Sequence, residues 1–192
     1  MANILKESSR GYDRIPIEDE LLGSREIFLV DEVNDRTSNE LIKQLMYLER
    51  SAPGEEITLY INSPGGVVQS GLAVYDYIML MRSPVKTVCI GDAASMGAIL
   101  FLAGEKREML PHTRIMIHDP SYSSFNVGGK KPHEIQREVD KLNKVREITA
   151  GIIAERTGKP LKTVYKATAE DSFFSAEEAI DFGLATDIYK EV

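Results

Sequence analysis

The chain has 192 residues, enough for one domain with a substantial buried core, and its apolar and charged fractions, 43% and 28%, are those of an ordinary soluble globular protein. The formal charge of −7 argues against nucleic-acid binding, because phosphate groups require a basic surface. The single cysteine, Cys89, excludes an intrachain disulfide and is typical of a reducing compartment. The N-terminus lacks the apolar stretch of a secretory signal, and Asp92 and Ser95 interrupt the most apolar stretch, so we expect neither export nor a membrane span.

Strand-like and helix-like stretches alternate along the first part of the chain. The predicted order is strand 27–30, helix 39–50, strand 57–61, helix 67–82, strand 85–90, helix 94–104, and strands at about 107–109 and 113–117. This order predicts an α/β domain with parallel strands and right-handed crossovers. Ligands in such sheets bind at the carboxyl ends of the strands, which here include the turn at 62–66, the turn after Ile90 and the end of the last strand.

A long helix is predicted at 132–156, after an exposed loop at 121–131 that is rich in Ser, Gly, Lys and Asn. The first half of this helix carries only a narrow apolar stripe among many charges. We therefore expect it to project from the globule and to need a partner that covers the stripe. No internal repeat or low-complexity segment occurs, so we expect a single domain over residues 1–192.

Ser95 is the candidate nucleophile. It lies between a predicted strand and a helix of small residues, so its hydroxyl would sit at a helix N-terminus, where backbone N–H groups stabilise developing negative charge. The small flanking residues would let a substrate backbone approach closely. The same position also suits an N-cap serine in a packing patch, and the local sequence leaves both interpretations open.

The chain has three histidines, which limits the choice of a general base. His118 follows the apolar run 115–117 and therefore lies at the carboxyl end of a strand, where a base is needed. A purely structural hydrogen-bonding histidine also fits that position. His112 and His133 have the sequence surroundings of surface residues.

The acid that would orient the histidine has three candidates. Asp119 is adjacent to His118, but neighbours on an extended strand point to opposite faces, so Asp119 is poorly placed. Asp171 precedes a short apolar segment and could approach from a separate element, and Asp187 is a weaker alternative. Spacing alone does not select Asp171.

Gly65 and Gly66 follow Pro64 at a strand-to-helix junction. Two glycines there can present N–H groups to an anion, and they also suit a tight turn with positive φ. No cluster of His, Cys and carboxylate residues has the spacing of a metal site, and no phosphate-binding or dinucleotide glycine pattern occurs. We therefore expect neither a metal nor a bound cofactor.

In several blocks the chain resembles the Clp protease proteolytic subunit family. The resemblance is carried, in chain order, by residues 60–66, 91–98, 116–118, Asp171 with Phe173, 175–179 and 182–184. It extends over roughly residues 10–187, and several separate motifs at the family's spacing argue against chance.

The resemblance implies a serine endopeptidase. Ser95 would be the nucleophile, His118 the general base and Asp171 the acid that orients it. The backbone N–H groups of Gly66 and Met96 would form the oxyanion hole. The rival interpretations are a crotonase-fold enzyme acting on acyl-CoA thioesters, in which this Ser/His/Asp set would lack a purpose, and a structural ring subunit without activity.

The resemblance also implies a fold and an assembly. The fold would be a crotonase-like ββα spiral with a projecting handle, formed by the loop and helix at about 119–156, and an axial N-terminal segment at 1–20. Seven subunits would form a ring, and two rings would stack into a tetradecamer. An ATP-dependent AAA+ Clp unfoldase would deliver unfolded proteins and peptides for protein quality control in the cytoplasm, so that the subunit itself would use no ATP.

The chain departs from the family's pattern around the site. Asp119 stands where glutamine is usual, Glu170 stands where an arginine involved in inter-ring contacts is common, and residues 121–126 replace a glycine-rich strand. The N-terminal residues 15–20 differ from the family's axial segment. Because the altered charges fall where rings dock, we expect two rings of this subunit alone to pair weakly, or to pair with a paralogous ring.

Overall fold

The computed structural model describes residues 2–8, 11–122, 124 and 126–190. The strands within this part of the chain are β1 Asn3–Ser8, β2 Gly11–Pro16, β3 Glu26–Leu29, β4 Ile57–Ser63, β5 Val85–Ala94, β6 Lys106–Met109, β7 Arg114–Ile117, β8 Ser172–Ser175 and β9 Asp187–Ile188. The helices are α1 Ile17–Gly23, α2 Asp35–Ser51, α3 Val68–Leu80, α4 Met96–Leu102, α5 Pro132–Thr157, α6 Leu161–Thr168 and α7 Ala176–Phe182.

A mostly parallel sheet of seven strands positions the candidate site. Strands β3, β4, β5, β6 and β9 pair in parallel in that order. The first half of β5 pairs with β6, whereas residues 92–94 at its end pair with β7. Strand β8 then adds antiparallel to β7. The predicted α/β class with a mostly parallel sheet is confirmed, and β1 and β2 form a separate hairpin.

The core lies between this sheet and its helices. Helix α2 begins at a capping box on Asn34 and buries Leu41, Leu45 and Leu48, which recur every three or four residues. Every residue of α4 is buried. A short helix buried all round has to be held by its neighbours, so the turn that precedes α4 is held in place by the core.

The predicted boundary between the strand at 85–90 and the helix at 94–104 is wrong. Strand β5 continues to Ala94, because the residues after Ile90 find a new partner in β7. Helix α4 therefore begins only at Met96. The N-terminal hairpin and the elements α1, α6, α7, β8 and β9 were not predicted as helices or strands.

Helix α5 confirms the predicted long helix, and its buried residues are Thr149, Ala150 and Ile153, near its C-terminal end. Val139 and Ile148 are 43% and 49% exposed, so much of the apolar stripe is uncovered in the single chain. Outside Ser123 and Phe125, which are not among the described residues, the predicted loop at 121–131 is exposed and forms neither helix nor strand. None of the described helices combines the length and apolar character that a membrane span requires.

Candidate active site

The antiparallel pairing of β7 with β8 brings His118 and Asp171 together. Ile117 pairs with Ser172 at the end of this ladder. Because the strands are antiparallel, His118, which follows Ile117, lies beside Asp171, which precedes Ser172. His118 Nδ1 lies 3.1 Å from Asp171 Oδ1. Of the three candidate acids, Asp171 is therefore the one that the sheet register brings into contact with His118.

Ser95 occupies the sharp turn between β5 and α4. Its φ of 53° and ψ of −118° put it among the few non-glycine residues with positive φ, a strained backbone that tends to occur at functional sites. The Ser95 N–H donates to Met116 O at 2.9 Å, which ties the turn to β7. Its hydroxyl makes no capping hydrogen bond to α4 and instead lies 2.8 Å from His118 Nε2.

These contacts form one chain of hydrogen bonds from Ser95 Oγ through the His118 ring to Asp171. A carboxylate can only accept, so Asp171 accepts from Nδ1–H and leaves the Nε2 lone pair to accept the Ser95 hydroxyl proton. The side chain of His118 is 24% exposed and that of Asp171 is 61% exposed. A nucleophile, a base and an orienting acid in this order are the arrangement used for acyl transfer.

The family model described as Clp protease matches residues 9–192. The chain belongs to the Clp protease family. Membership supports a peptidase subunit, and proteins of this family generally form ring oligomers that work with Clp ATPases.

In this Clp protease the glycine turn packs directly against the turn that holds Ser95. A Cβ added at Gly65, whose φ is +92°, would lie 2.6 Å from Ala94 O, 2.7 Å from Ser95 Cβ and 2.8 Å from Met96 N. Real Cβ atoms do not approach other atoms so closely, so the position accepts only glycine. Gly65 O accepts a hydrogen bond from Val33 N at 2.8 Å, which fixes the turn on its other side.

Gly66 and Met96, the two predicted oxyanion donors, both have a free backbone N–H among the described residues. Met96 is the first residue of α4, where no intrahelical acceptor exists. Gly66 forms an isolated bridge with Val33, but the hydrogen bonds of that bridge use the neighbouring residues Gly65 and Val67. Two donors are therefore available, one directly after Ser95 and one directly after Gly65, which packs against the Ser95 turn.

One cavity is lined by Ser95 itself, and a second cavity shares Val68 and Pro120 with it. The smaller, of about 30 Å³, is lined by Val68, Ser95, Met96, Ile99, Ile117, His118, Pro120, Thr149 and Ile153. The larger, of about 470 Å³, is lined by Glu32, Gly66, Val67, Val68, Pro120, Ser121, Tyr122, Lys141, Leu142 and Val145. Sequence reasoning missed the lining residues from α5. The one available signal was Thr149, a polar residue within the apolar stripe of that helix.

The remaining candidates lie elsewhere. The Asp119 carboxylate is hydrogen-bonded to Thr168 and paired with Arg146, so its side-chain contacts lie away from the His118 ring. Asp187 accepts from Ile188 N and pairs with Lys190. His112 and His133 are exposed, as expected. Within the described residues no group of three or more His, Cys, Asp or Glu side chains is placed to hold a metal ion.

Proposed function

We propose that this Clp protease chain is a serine endopeptidase with Ser95 as nucleophile, His118 as general base and Asp171 as orienting acid. The observation that carries the proposal is the continuous hydrogen-bonded chain from Ser95 Oγ to Asp171 Oδ1. An enzyme acting on acyl-CoA thioesters, the rival interpretation, would not need these hydrogen-bonded Ser, His and Asp side chains. A ring subunit without activity would have no need for the strained Ser95 backbone.

The reaction is acyl transfer in two halves. Ser95 Oγ attacks the scissile carbonyl while His118 Nε2 takes its proton, and the imidazolium then gives that proton to the leaving amine. Water attacks the resulting ester, again losing a proton to Nε2, and the proton returns to Ser95 as the carboxylic acid leaves. Throughout, Asp171 keeps Nδ1 protonated and stabilises the imidazolium.

The oxyanion formed in each half would be stabilised by the N–H groups of Gly66 and Met96. Their lack of other acceptors in the described part of the chain supports this role. One such donor contributes about 3 kcal/mol to transition-state stabilisation. No metal or organic cofactor takes part in the proposed reaction, and ATP is used by the partner alone.

The two adjoining cavities support an extended peptide as substrate. The smaller cavity, beside the nucleophile, is lined mostly by apolar side chains and suits a small apolar group of the substrate. The larger cavity shares Val68 and Pro120 with it, is lined by Gly66 as well, and would hold neighbouring residues of the same peptide. An unfolded chain offers such an extended segment, whereas a folded protein does not.

We further propose the ring assembly: seven subunits to a ring, two stacked rings, and delivery of unfolded proteins by an AAA+ Clp ATPase in the cytoplasm. The exposed apolar residues Val139 and Ile148 support α5 and its preceding loop as a handle that meets another ring. The division of β5 between two partner strands supports the ββα spiral. Two altered charges were expected to weaken the pairing of like rings. The Asp119 carboxylate is paired with Arg146 inside the subunit, whereas Glu170 is exposed, so we assign the weak pairing to Glu170.

Hydrolysis of a short fluorogenic peptide, with native mass measured in parallel, tests the proposal. Ser95→Ala should lower kcat by about 10⁶-fold, because the nucleophile is lost. Ser24→Ala, which changes an exposed serine after α1, should leave kcat unchanged. An active-site serine probe should label the natural chain and not Ser95→Ala. Peptidase activity that survives Ser95→Ala would refute the serine mechanism, and an inactive, unlabelled chain in a two-ring assembly would favour the structural alternative.

A further inference from the structure

We propose that Asp119 is a positioning residue that holds His118 in line with Asp171, an inference that rests on the proposed serine-peptidase function. Asp119 itself does not touch the reacting atoms. It acts through the segment that carries the base and through the segment that carries the acid.

The β7–β8 ladder ends one residue before the site. Its last pair is Ile117 with Ser172, so His118 and Asp171 lie just beyond the paired residues. A further interaction between the two segments at that point would fix how the His118 ring lies against Asp171. Asp171 needs it most, since its side chain is 61% exposed and His118 is its side-chain partner within the described residues.

Asp119 and Thr168 supply that interaction with two hydrogen bonds. The Asp119 N–H donates to Thr168 O at 2.6 Å, and the Thr168 hydroxyl donates to Asp119 Oδ1 at 2.6 Å. The residue after the base is thus bound at two points to a residue three positions before the acid. Thr168 is 2% exposed at the end of α6, so the anchor belongs to the packed interior.

The second carboxylate oxygen of Asp119 extends the same cluster to α5. Asp119 Oδ2 lies 2.7 Å from Arg146 Nε, and the Arg146 guanidinium lies 4.5 Å from the centre of the Tyr165 ring on α6. Asp119 and Arg146 side chains are 29% and 36% exposed, so the ion pair adds little stability by itself. Its effect is geometric, because it binds the end of β7, α5 and α6 to one another.

A carboxylate suits this position because one oxygen accepts from the Thr168 hydroxyl and the other places negative charge beside the Arg146 guanidinium. An amide could still accept from Thr168, but its NH₂ group would face the Arg146 donors. We therefore expect Asp119→Asn to keep one of the two side-chain contacts and Asp119→Ala to lose both. Thr168→Val removes the hydroxyl while keeping the shape of the side chain and the charge of Asp119, and Thr168→Ser restores the hydroxyl.

The test measures kcat and KM for a short fluorogenic peptide on the full-length, assembled protein, with active sites counted by a serine probe. Asp119→Ala and Thr168→Val should each lower kcat by about 10- to 100-fold, since a displacement of about 1 Å in a catalytic group costs that much. KM should change by less than about 2-fold. Thr168→Ser should recover most of the rate, and the double variant Asp119→Ala/Thr168→Val should be no slower than the slower single variant, because both changes break the same contact.

Glu40→Ala, which breaks the exposed Lys43–Glu40 ion pair on α2, is the matched control and should leave kcat unchanged. If Asp119 acted through its charge alone, Thr168→Val would retain full kcat, and that result would overturn the proposal. Additive losses in the double variant, or an equal loss in Glu40→Ala, would also overturn it. If Asp119→Ala does not fold, Thr168→Val and Asp119→Asn carry the test. Activity that survives Ser95→Ala would reject the proposed function itself, whereas Ser95-dependent activity with a normal Thr168→Val rejects only this inference.

Discussion

We expect Gly65→Ala to lower both stability and activity, because the new methyl group would overlap with atoms of the turn that holds Ser95. The Cβ would lie within 2.8 Å of Ala94 O, Ser95 Cβ and Met96 N, and two of these contacts are with backbone atoms that cannot rotate away. The glycine also has a φ of +92°, where an L side chain is strained.

The magnitude follows from these two costs. A non-glycine residue in the left-handed region costs about 1–2 kcal/mol, and forcing a methyl group into a packed site costs about 1–3 kcal/mol more. Gly65→Ala should therefore lower the free energy of unfolding by about 2–5 kcal/mol. Relief of the clash would shift the Ser95 hydroxyl or the Met96 N–H, so we expect kcat to fall about 100-fold in the molecules that remain folded.

Gly54→Ala provides a matched control for this prediction. Gly54 has a similar φ of +87°, but no atom lies within 4 Å of the added Cβ. The control should lose only the conformational cost of about 1–2 kcal/mol and keep its kcat. The assay combines denaturant unfolding at fixed protein concentration with peptide hydrolysis. Equal destabilisation by the two substitutions, with normal kcat in Gly65→Ala, would refute the packing argument.

Two further predictions concern charges outside the site. Arg107 is 8% exposed, and burial lowers its pKa. Its guanidinium donates hydrogen bonds to the carbonyls of Gly104, Arg156, Gly183 and Leu184, which lie at or just after the C-terminal ends of α4, α5 and α7. Arg107→Met should cost at least about 3 kcal/mol of stability by removing these four hydrogen bonds, although Gly104 O keeps its bond from Arg156. A loss under about 1 kcal/mol in denaturant unfolding would contradict this. Hydrogen bonds from Arg114 hold the pKa of Asp92 below its usual range, but both side chains are largely exposed. Asp92→Asn should therefore cost less than about 1 kcal/mol near pH 7. The pKa of Asp92 is lower in the folded than in the unfolded chain, so its stabilising contribution is present above the ordinary Asp pKa and is lost as pH falls through the lowered value. A stability difference between Asp92→Asn and the natural chain that grows towards low pH would contradict the assignment.

Local sequence patterns were sufficient for the alternating elements. The spacing of Leu41, Leu45 and Leu48 predicts a helix, because that period is set by the helical backbone itself. The same reasoning placed Ser95 and His118 at the carboxyl ends of strands. It ended β5 too early, at Ile90, because the pairing that extends the strand to Ala94 comes from β7, later in the chain.

Residues distant in sequence decided the rest of the candidate site. From the residues alone, three acids were open as partners of His118, and the family resemblance pointed to Asp171. In the structure, His118 and Asp171 meet across 53 positions because Ile117 pairs with Ser172, and no local pattern encodes that register. The cavity walls from α5 and the Thr168 partner of Asp119 likewise come from helices that the local pattern could not place against the sheet.

The sequence by itself determined the α/β class, the long helix α5 and the Clp protease resemblance, because these depend on backbone periodicity and on motifs read in chain order. Only the tertiary structure decided how Ser95, His118 and Asp171 meet, that the Asp119 carboxylate is paired inside the subunit, and why Gly65 cannot carry a side chain. Each of those features is a distance between segments far apart in the chain, and such distances are set by sheet register and core packing rather than by neighbouring residues.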